Sequence, residues 1–134
     1  MIPMHSSSTV ILDLLQSLQS LVKKVDAMYL LSDNMIANSI SVVTQILNEN
    51  KMISISAEES QVKGGALMTK GLSYKELGKQ TAKMAKKILV DGVKPADLPV
   101  EKAEKTFLVV NKSTLKALGI SEQNEIFKDA TIIN

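Results

Sequence analysis

The 134-residue chain contains no cysteine, no tryptophan and no arginine. Without cysteine there is no disulfide framework, no thiolate zinc site and no cysteine nucleophile. The one histidine, His5, cannot form a histidine metal cluster. It also lacks a visible nucleophile and orienting partner, which a catalytic histidine needs, so it reads as a solvent-exposed residue. All sixteen basic residues are lysines, against fourteen acidic ones. The absence of arginine's planar fork argues against recognition of nucleic acid. The aromatics are only Tyr29, Tyr74, Phe107 and Phe127, too few for a base-stacking platform. No apolar run approaches the roughly 18 residues that span a bilayer. Residues Met1 to Ser6 show no basic stretch followed by an apolar core, so no signal peptide is expected and the chain as written would start in the cytoplasm.

What is present is an ordinary globular composition, 45% apolar and 22% charged, long enough for one domain. Ile11, Leu14, Leu15, Leu18, Leu21 and Val22 fall on one face of a helix over 8–24, with Ser6, Ser7 and Ser8 as cap candidates. Residues 25–31 read as a buried strand. Ser32-Asp33-Asn34 then opens a helix that Ile36, Ile40, Val43 and Leu47 carry to about Asn50. Met52 to Ser56 alternates as a second strand, 57–63 is a polar loop, Gly64-Gly65 a turn, and 66–71 a third strand. Ser73 and Glu76 have the spacing of a capping box for a helix to about Val90. A crossover with Pro95 and Pro99 leads to a strand at 107–110. A short helix capped by Ser113 then ends at Gly119, and an edge strand lies at Ile132-Ile133.

Alternation of strands and helices predicts an α/β fold, a parallel sheet with flanking helices. Ligands bind beyond the carboxyl ends of such strands, which gathers three loops: Ser32 to Asn34, Ala57 to Val62, and Thr69 to Tyr74. Asp33 and Asn34 suit either a helix cap or contacts to a ligand's ammonium and polar groups. Glu58 and Glu59 read as a solvated pair rather than an acid/base couple, although Glu58 could meet a cation. Gly64 to Lys70 has the wrong residue order for a phosphate loop. Lys79, Lys83, Lys86 and Lys87 read as a solvated helix face, more than as a membrane-binding stripe. No catalytic constellation, metal site or cofactor motif emerges from the residues.

Five stretches together resemble the C-terminal half of ABC-transporter substrate-binding proteins, in the group associated with tryptophan or tyrosine uptake. Val25-Asp26-Ala27-Met28-Tyr29 with Asp33-Asn34 resembles V-D-A-I-Y-x-P-T-D-N. The loop ending Val62-Lys63-Gly64-Gly65-Ala66-Leu67 resembles V-K-x-G-A-L-A. Residues 71–89 resemble G-I-D-Y-Y-E-L-G-x-Q-T-G-K-M-A-A-K-I-L. Lys94 to Glu101 resembles K-P-A-D-I-P-V-E, and Asn111 to Ile120 resembles N-x-x-T-A-K-A-L-G-I. Leu31-Ser32 stands where the family has proline-threonine, and Ser73 and Lys75 replace an aspartate and a tyrosine.

The resemblance implies a two-lobe periplasmic-binding-protein fold of which this chain is a partial domain. Residues 1–72 and 104–134 would form C-terminal-lobe elements. Residues 73–103 would be a crossover helix and connection packed on the other lobe. It implies a non-enzymatic role: binding an amino-acid-like ligand between lobes and delivering it to an ABC permease, outside the cytoplasmic membrane. Asp33 or Glu58 would then meet the ligand ammonium, Asn34 would hydrogen-bond it, and Tyr74 would pack on its side chain. Alone, the chain is expected to bind weakly and to seek cover for Leu77, Met84, Ala85 and Ile88, for example as a homodimer through the 73–90 helix. The rival readings are the effector-binding domain of a lac-repressor-like regulator and a remnant without function.

Overall fold

The computed structural model describes residues 7–134, with side chains from Leu12 onward. The expectations for His5, the Ser6 cap and the N-terminal leader lie outside the described residues. Helix α1, Ser7–Leu21, is followed by strand β1, Ala27–Leu30. Helices α2, Asn34–Asn38, and α3, Ile40–Glu49, lead to β2, Ile53–Ser56. Helix α4, Glu59–Lys63, precedes β3, Met68–Leu72. The long helix α5, Tyr74–Leu89, and a 3-10 turn at Pro95–Asp97 lead to β4, Thr106–Asn111. Helix α6, Lys112–Leu118, a 3-10 turn at Glu125–Phe127 and β5, Thr131–Ile133, complete the fold.

The five strands form one sheet in the order β1-β2-β3-β4-β5. The pairs β1–β2, β2–β3 and β4–β5 are parallel, as alternation with helices predicts. The pair β3–β4 is antiparallel, with Leu72 opposite Thr106. The departure has a physical reason: the whole 73–105 excursion leaves from one end of the sheet and returns at the same end. Strand β4 must therefore run back down.

Register assigns the faces. Met28 and Leu30 share a face with Ser54, Ser56, Thr69 and Val109. Helices α1 and α3 cover the Met28–Leu30 side of it with Leu18, Val43 and Leu47. On the other face, Met68, Leu108 and Val110 pack under Leu115 of α6 and Phe127. No described element covers that face at β1 and the start of β2, where Tyr29 is 59% and Ile53 37% exposed.

Local chemistry sets the boundaries. The single helix expected after Asn34 breaks at Ser39, whose amide bonds back to Met35 and Ile36. The expected polar loop at 57–63 contains the single turn and a half of α4. It is held by Glu59–Lys63 pairing at i,i+4 (2.8 Å) and by burial of Gln61 and Val62. Asn111, not Ser113, caps α6 by accepting the Thr114 amide at 2.9 Å. Gly119 ends that helix in the left-handed conformation, φ 73°. Ser73 accepts the Glu76 amide as a cap should, but the Glu76 carboxylate turns to Lys79 rather than back to the cap.

Helix α5 stands apart from the sheet. Its one buried side chain, Gln80, donates to Glu101 Oε2 (2.8 Å) and the Lys102 carbonyl (2.9 Å) of its own return segment. Leu77, Met84, Ala85 and Ile88 are half-buried, while Leu89 and Val100 are 82% and 97% exposed.

The tightest point of the fold is Gly64–Gly65. A Cβ on Gly64 would meet Ile40 at 2.7 Å, and one on Gly65 would meet Thr44 Oγ1 at 2.7 Å. Gly65 also has φ +105°, a conformation costly for any other residue. Gly65→Ala should cost about 2–3 kcal/mol and lower the melting temperature by roughly 10 °C. Gly119→Ala, with open space around its Cβ, should cost only about 1 kcal/mol. Thermal melts of both variants check this ordering.

Candidate functional site

The carboxyl ends of β1, β2 and β3 all lie at one end of the sheet, so the loops after them converge. Their alignment is enforced by polar contacts. The Ala57 amide donates to the Leu30 carbonyl at 2.9 Å. Gln61, 1% exposed, reaches from α4 to donate Nε2 to the Leu31 carbonyl at 2.8 Å. Ser56 Oγ donates to the Glu58 carbonyl at 3.1 Å. Two loops distant in sequence are thus tied into one rim.

The rim encloses an open cavity of about 390 Å³, lined by Ser32, Ala57, Glu58, Lys63, Leu72 and Tyr74 among others. Its charged residues are Glu58, Glu59 and Lys63, and Glu58 is the one bonded across the rim. Its Oε1 accepts the Ser32 hydroxyl and its Oε2 accepts Ser60 Oγ at 3.2 Å. Two hydroxyl donors hold the carboxylate in a fixed direction, and an oxygen pair so placed suits an ammonium group. Tyr74, 75% exposed at the start of α5, supplies an aromatic wall. Lys63 brings the opposite charge to the same mouth, although it pairs with Glu59.

The four residues singled out in the sequence do not all meet. Glu58 and Tyr74 line the cavity; Asp33 and Asn34 are not among its lining. Asp33 Oδ1 accepts the amides of Met35 (2.8 Å) and Ile36 (3.2 Å), so it works as the cap of α2. Asn34 is the first residue of that helix. Sequence reasoning did not single out Ser32, Leu72 or Lys63. Ser32 sits one position before Asp33, where the family pattern has threonine, and that hydroxyl was the available signal.

A second cavity, of about 240 Å³, lies beside the first and shares Glu59 and Leu72 with it. Glu76 is at its edge. The Lys79 ammonium at 2.6 Å, seconded by Lys105 and Lys75, holds the Glu76 carboxyl below its usual range despite the opposing effect of burial. Among the described residues, no group of three or more His, Asp or Glu stands together to hold a metal ion. Nor is any helix among them long and apolar enough to cross a membrane.

A family model for ABC transporter substrate-binding proteins matches residues 7–133. The chain belongs to this family. It is 37% identical over 107 residues to a tyrosine-binding protein of Clostridioides difficile, a match covering 80% of this chain and 31% of that protein. Among solved structures it resembles the ligand-free, open form of a Clostridium difficile substrate-binding protein with adhesive properties. That likeness has a TM-score of 0.80 and 36% identity, covering 98% of this chain and 42% of that one. It also resembles an ABC domain from Streptococcus pneumonia in complex with L-Trp, with a TM-score of 0.73 and 27% identity, over 92% of this chain and 42% of the other. The chain spans about a third of the length of the curated relatives it matches, 31% and 34%.

The Gln61 bridge offers a direct test of how the rim is held. Gln61→Ala leaves the Leu31 carbonyl without its donor and should destabilise the protein by about 1–3 kcal/mol. Amide hydrogen exchange should speed up at Met35 and Ile36 more than in β3 or β4. Uniform acceleration throughout the chain would show that the bridge serves global stability and not the rim.

Proposed function

We propose that this chain is the C-terminal lobe of the solute-binding component of an ABC importer, and that the lobe offers its 390 Å³ cavity to an amino-acid-like ligand. The observation that carries the reading is the convergence of three strand-end loops on Glu58, within a chain of this family. In this reading the Glu58 carboxylate takes the ligand's ammonium group and Tyr74 packs on its side chain. Asp33 keeps one oxygen on the α2 cap and turns the other toward the ligand. Asn34 adds a hydrogen bond when the cleft closes.

Residues 73–103 then belong with the second lobe. Helix α5 leaves the sheet, buries only one side chain, and exposes Leu89, Val90 and Val100, as a segment docked elsewhere would. The complete protein would work outside the cytoplasmic membrane, as substrate-binding proteins of this family do, and would present the ligand to its permease. The relatives named above are binding proteins, and the role proposed here is binding without catalysis.

Affinity measurements test the assignments. By calorimetry with L-tyrosine and L-tryptophan, the 134-residue chain alone should bind no tighter than about millimolar, since one lobe supplies half the contacts. In the protein as isolated from its own cells, Glu58→Gln and Tyr74→Ala should each weaken binding about tenfold or more, near 1.4 kcal/mol. Asp33→Ser keeps a capping oxygen and removes the charge. A loss of affinity at unchanged melting temperature assigns Asp33 to the ligand, and unchanged affinity removes it. Micromolar binding by the 134 residues alone would overturn the two-lobe reading.

A further inference from the structure

The smaller cavity has a chemistry the ligand reading above does not use. Thr69 lies in β3 on the covered face of the sheet, 1% exposed, and its hydroxyl has no hydrogen-bond partner among the described residues. That is unusual, because an orphaned buried hydroxyl costs about 1–3 kcal/mol. The cavity of about 240 Å³ opens beside it. Gly71, two residues on and on the same face, is what leaves the opening. A Cβ there would stand 3.1 Å from Thr69 Oγ1 and 3.4 Å from the Ala57 carbonyl.

The two charged residues of the lining are both acidic, although Lys75 and Lys105 stand near Glu76 in addition to its partner Lys79. Glu59 and Glu76 supply carboxylates, Ser73 and Thr131 supply hydroxyls, and Phe107 supplies a ring. Among the described residues, no lysine lines it. The two carboxylates each hold a lysine, Lys63 at 2.8 Å and Lys79 at 2.6 Å, through one oxygen. Both lysine side chains are more than half exposed, so these are exposed ion pairs of little strength that leave carboxylate oxygens available. Acceptors on the walls and an aromatic ring make a site for a cation with an apolar part. At about 30 Å³ per water the space is far larger than one water needs.

The geometry points to a second binding site, distinct from the Glu58 cavity, at which Thr69, Glu59 and Glu76 hold a small alkylammonium ion or the amino group of a larger one. The ion donates to the Thr69 hydroxyl and the two carboxylates, with its alkyl part against Phe107 and Val109. The site lies where β3 passes into the α5 excursion, so its occupation ties Ser73 and Glu76 of the excursion to α4 and the sheet.

Methylammonium is the probe, titrated into the 134-residue chain against sodium chloride at equal ionic strength, with methyl and amide NMR as the readout. The methyl signals of Thr69, Val109 and Thr131 should shift saturably, with a midpoint in the millimolar range, and should not respond to sodium. Gly71→Ala fills the opening and should abolish the response while the remaining spectrum is retained. If that variant does not fold, Glu59→Gln with Glu76→Gln carries the test and should raise the midpoint about tenfold. Thr69→Val should raise it about threefold or more without lowering the melting temperature, since the hydroxyl it removes has no partner. An unchanged titration in these variants overturns the proposal. So does a linear, non-saturating response, or shifts centred on Ser32, Glu58 and Tyr74. The last result places the cation in the other cavity and leaves the ligand reading standing, so the two fail separately.

Discussion

The fold depends on the approach of backbone to side chain at Gly64–Gly65. The Gly64 carbonyl accepts the Thr44 hydroxyl at 2.7 Å. The Gly65 carbonyl accepts Thr114 Oγ1 at 2.9 Å and Asn48 Nδ2 at 3.3 Å. Helices α3 and α6 are thereby joined through one turn to the end of α4 and the start of β3. The contacts need a bare backbone, because a side chain on either glycine would occupy the space of Ile40 or Thr44. The next two residues inherit their positions from the turn: Ala66 enters one hydrophobic cluster and Leu67 the other.

Around that joint the interior is unusually polar for so small a sheet. Ser54, Ser56, Thr69, Asn111 and Thr114 are all buried. Most are committed to backbone: Ser54 Oγ accepts the Leu67 amide at 2.8 Å, and Asn111 Nδ2 donates to the Val62 carbonyl at 2.9 Å. Such bonds add little net stability but are costly to leave unmade, so they fix one arrangement of loops over its neighbours. Ser56 carries the network to the rim, donating to the Glu58 carbonyl. Helix α5, with its single buried glutamine, has no comparable network to the sheet among the described residues.

Much of the architecture was legible in the residues. Period-3.6 apolar spacing located α1, α3 and α5, and the αL preference of glycine located the end of α6 at Gly119. The alternation of elements implied an α/β sheet, which the fold and its likeness to known substrate-binding proteins bear out. Helix α4 was not legible, because a helix of five residues is too short for its apolar spacing to repeat. The reversal of β4 was not legible either. Parallel and antiparallel strands share a pattern, and direction depends on where a long connection returns. Sequence order brought together the loops that line the larger cavity but could not say which atoms face inward. Asp33 looks like a ligand residue and a cap at once, and only its bonds to Met35 and Ile36 show the cap engaged. Thr69 was placed by sequence only as the start of a strand-end loop, since an unpartnered hydroxyl is a property of its surroundings.

The pairing of Leu72 with Thr106 means that the 73–105 excursion begins and ends on adjacent, hydrogen-bonded strands. A segment whose two ends already meet adds no span for the sheet to bridge, and its length changes the closure cost only slowly. The sheet is therefore mechanically indifferent to what the excursion carries. Evolution could lengthen, replace or re-aim α5 without disturbing the register of β3 and β4. Conversely, the excursion is anchored to the sheet at both ends through a single rung, Leu72 to Thr106.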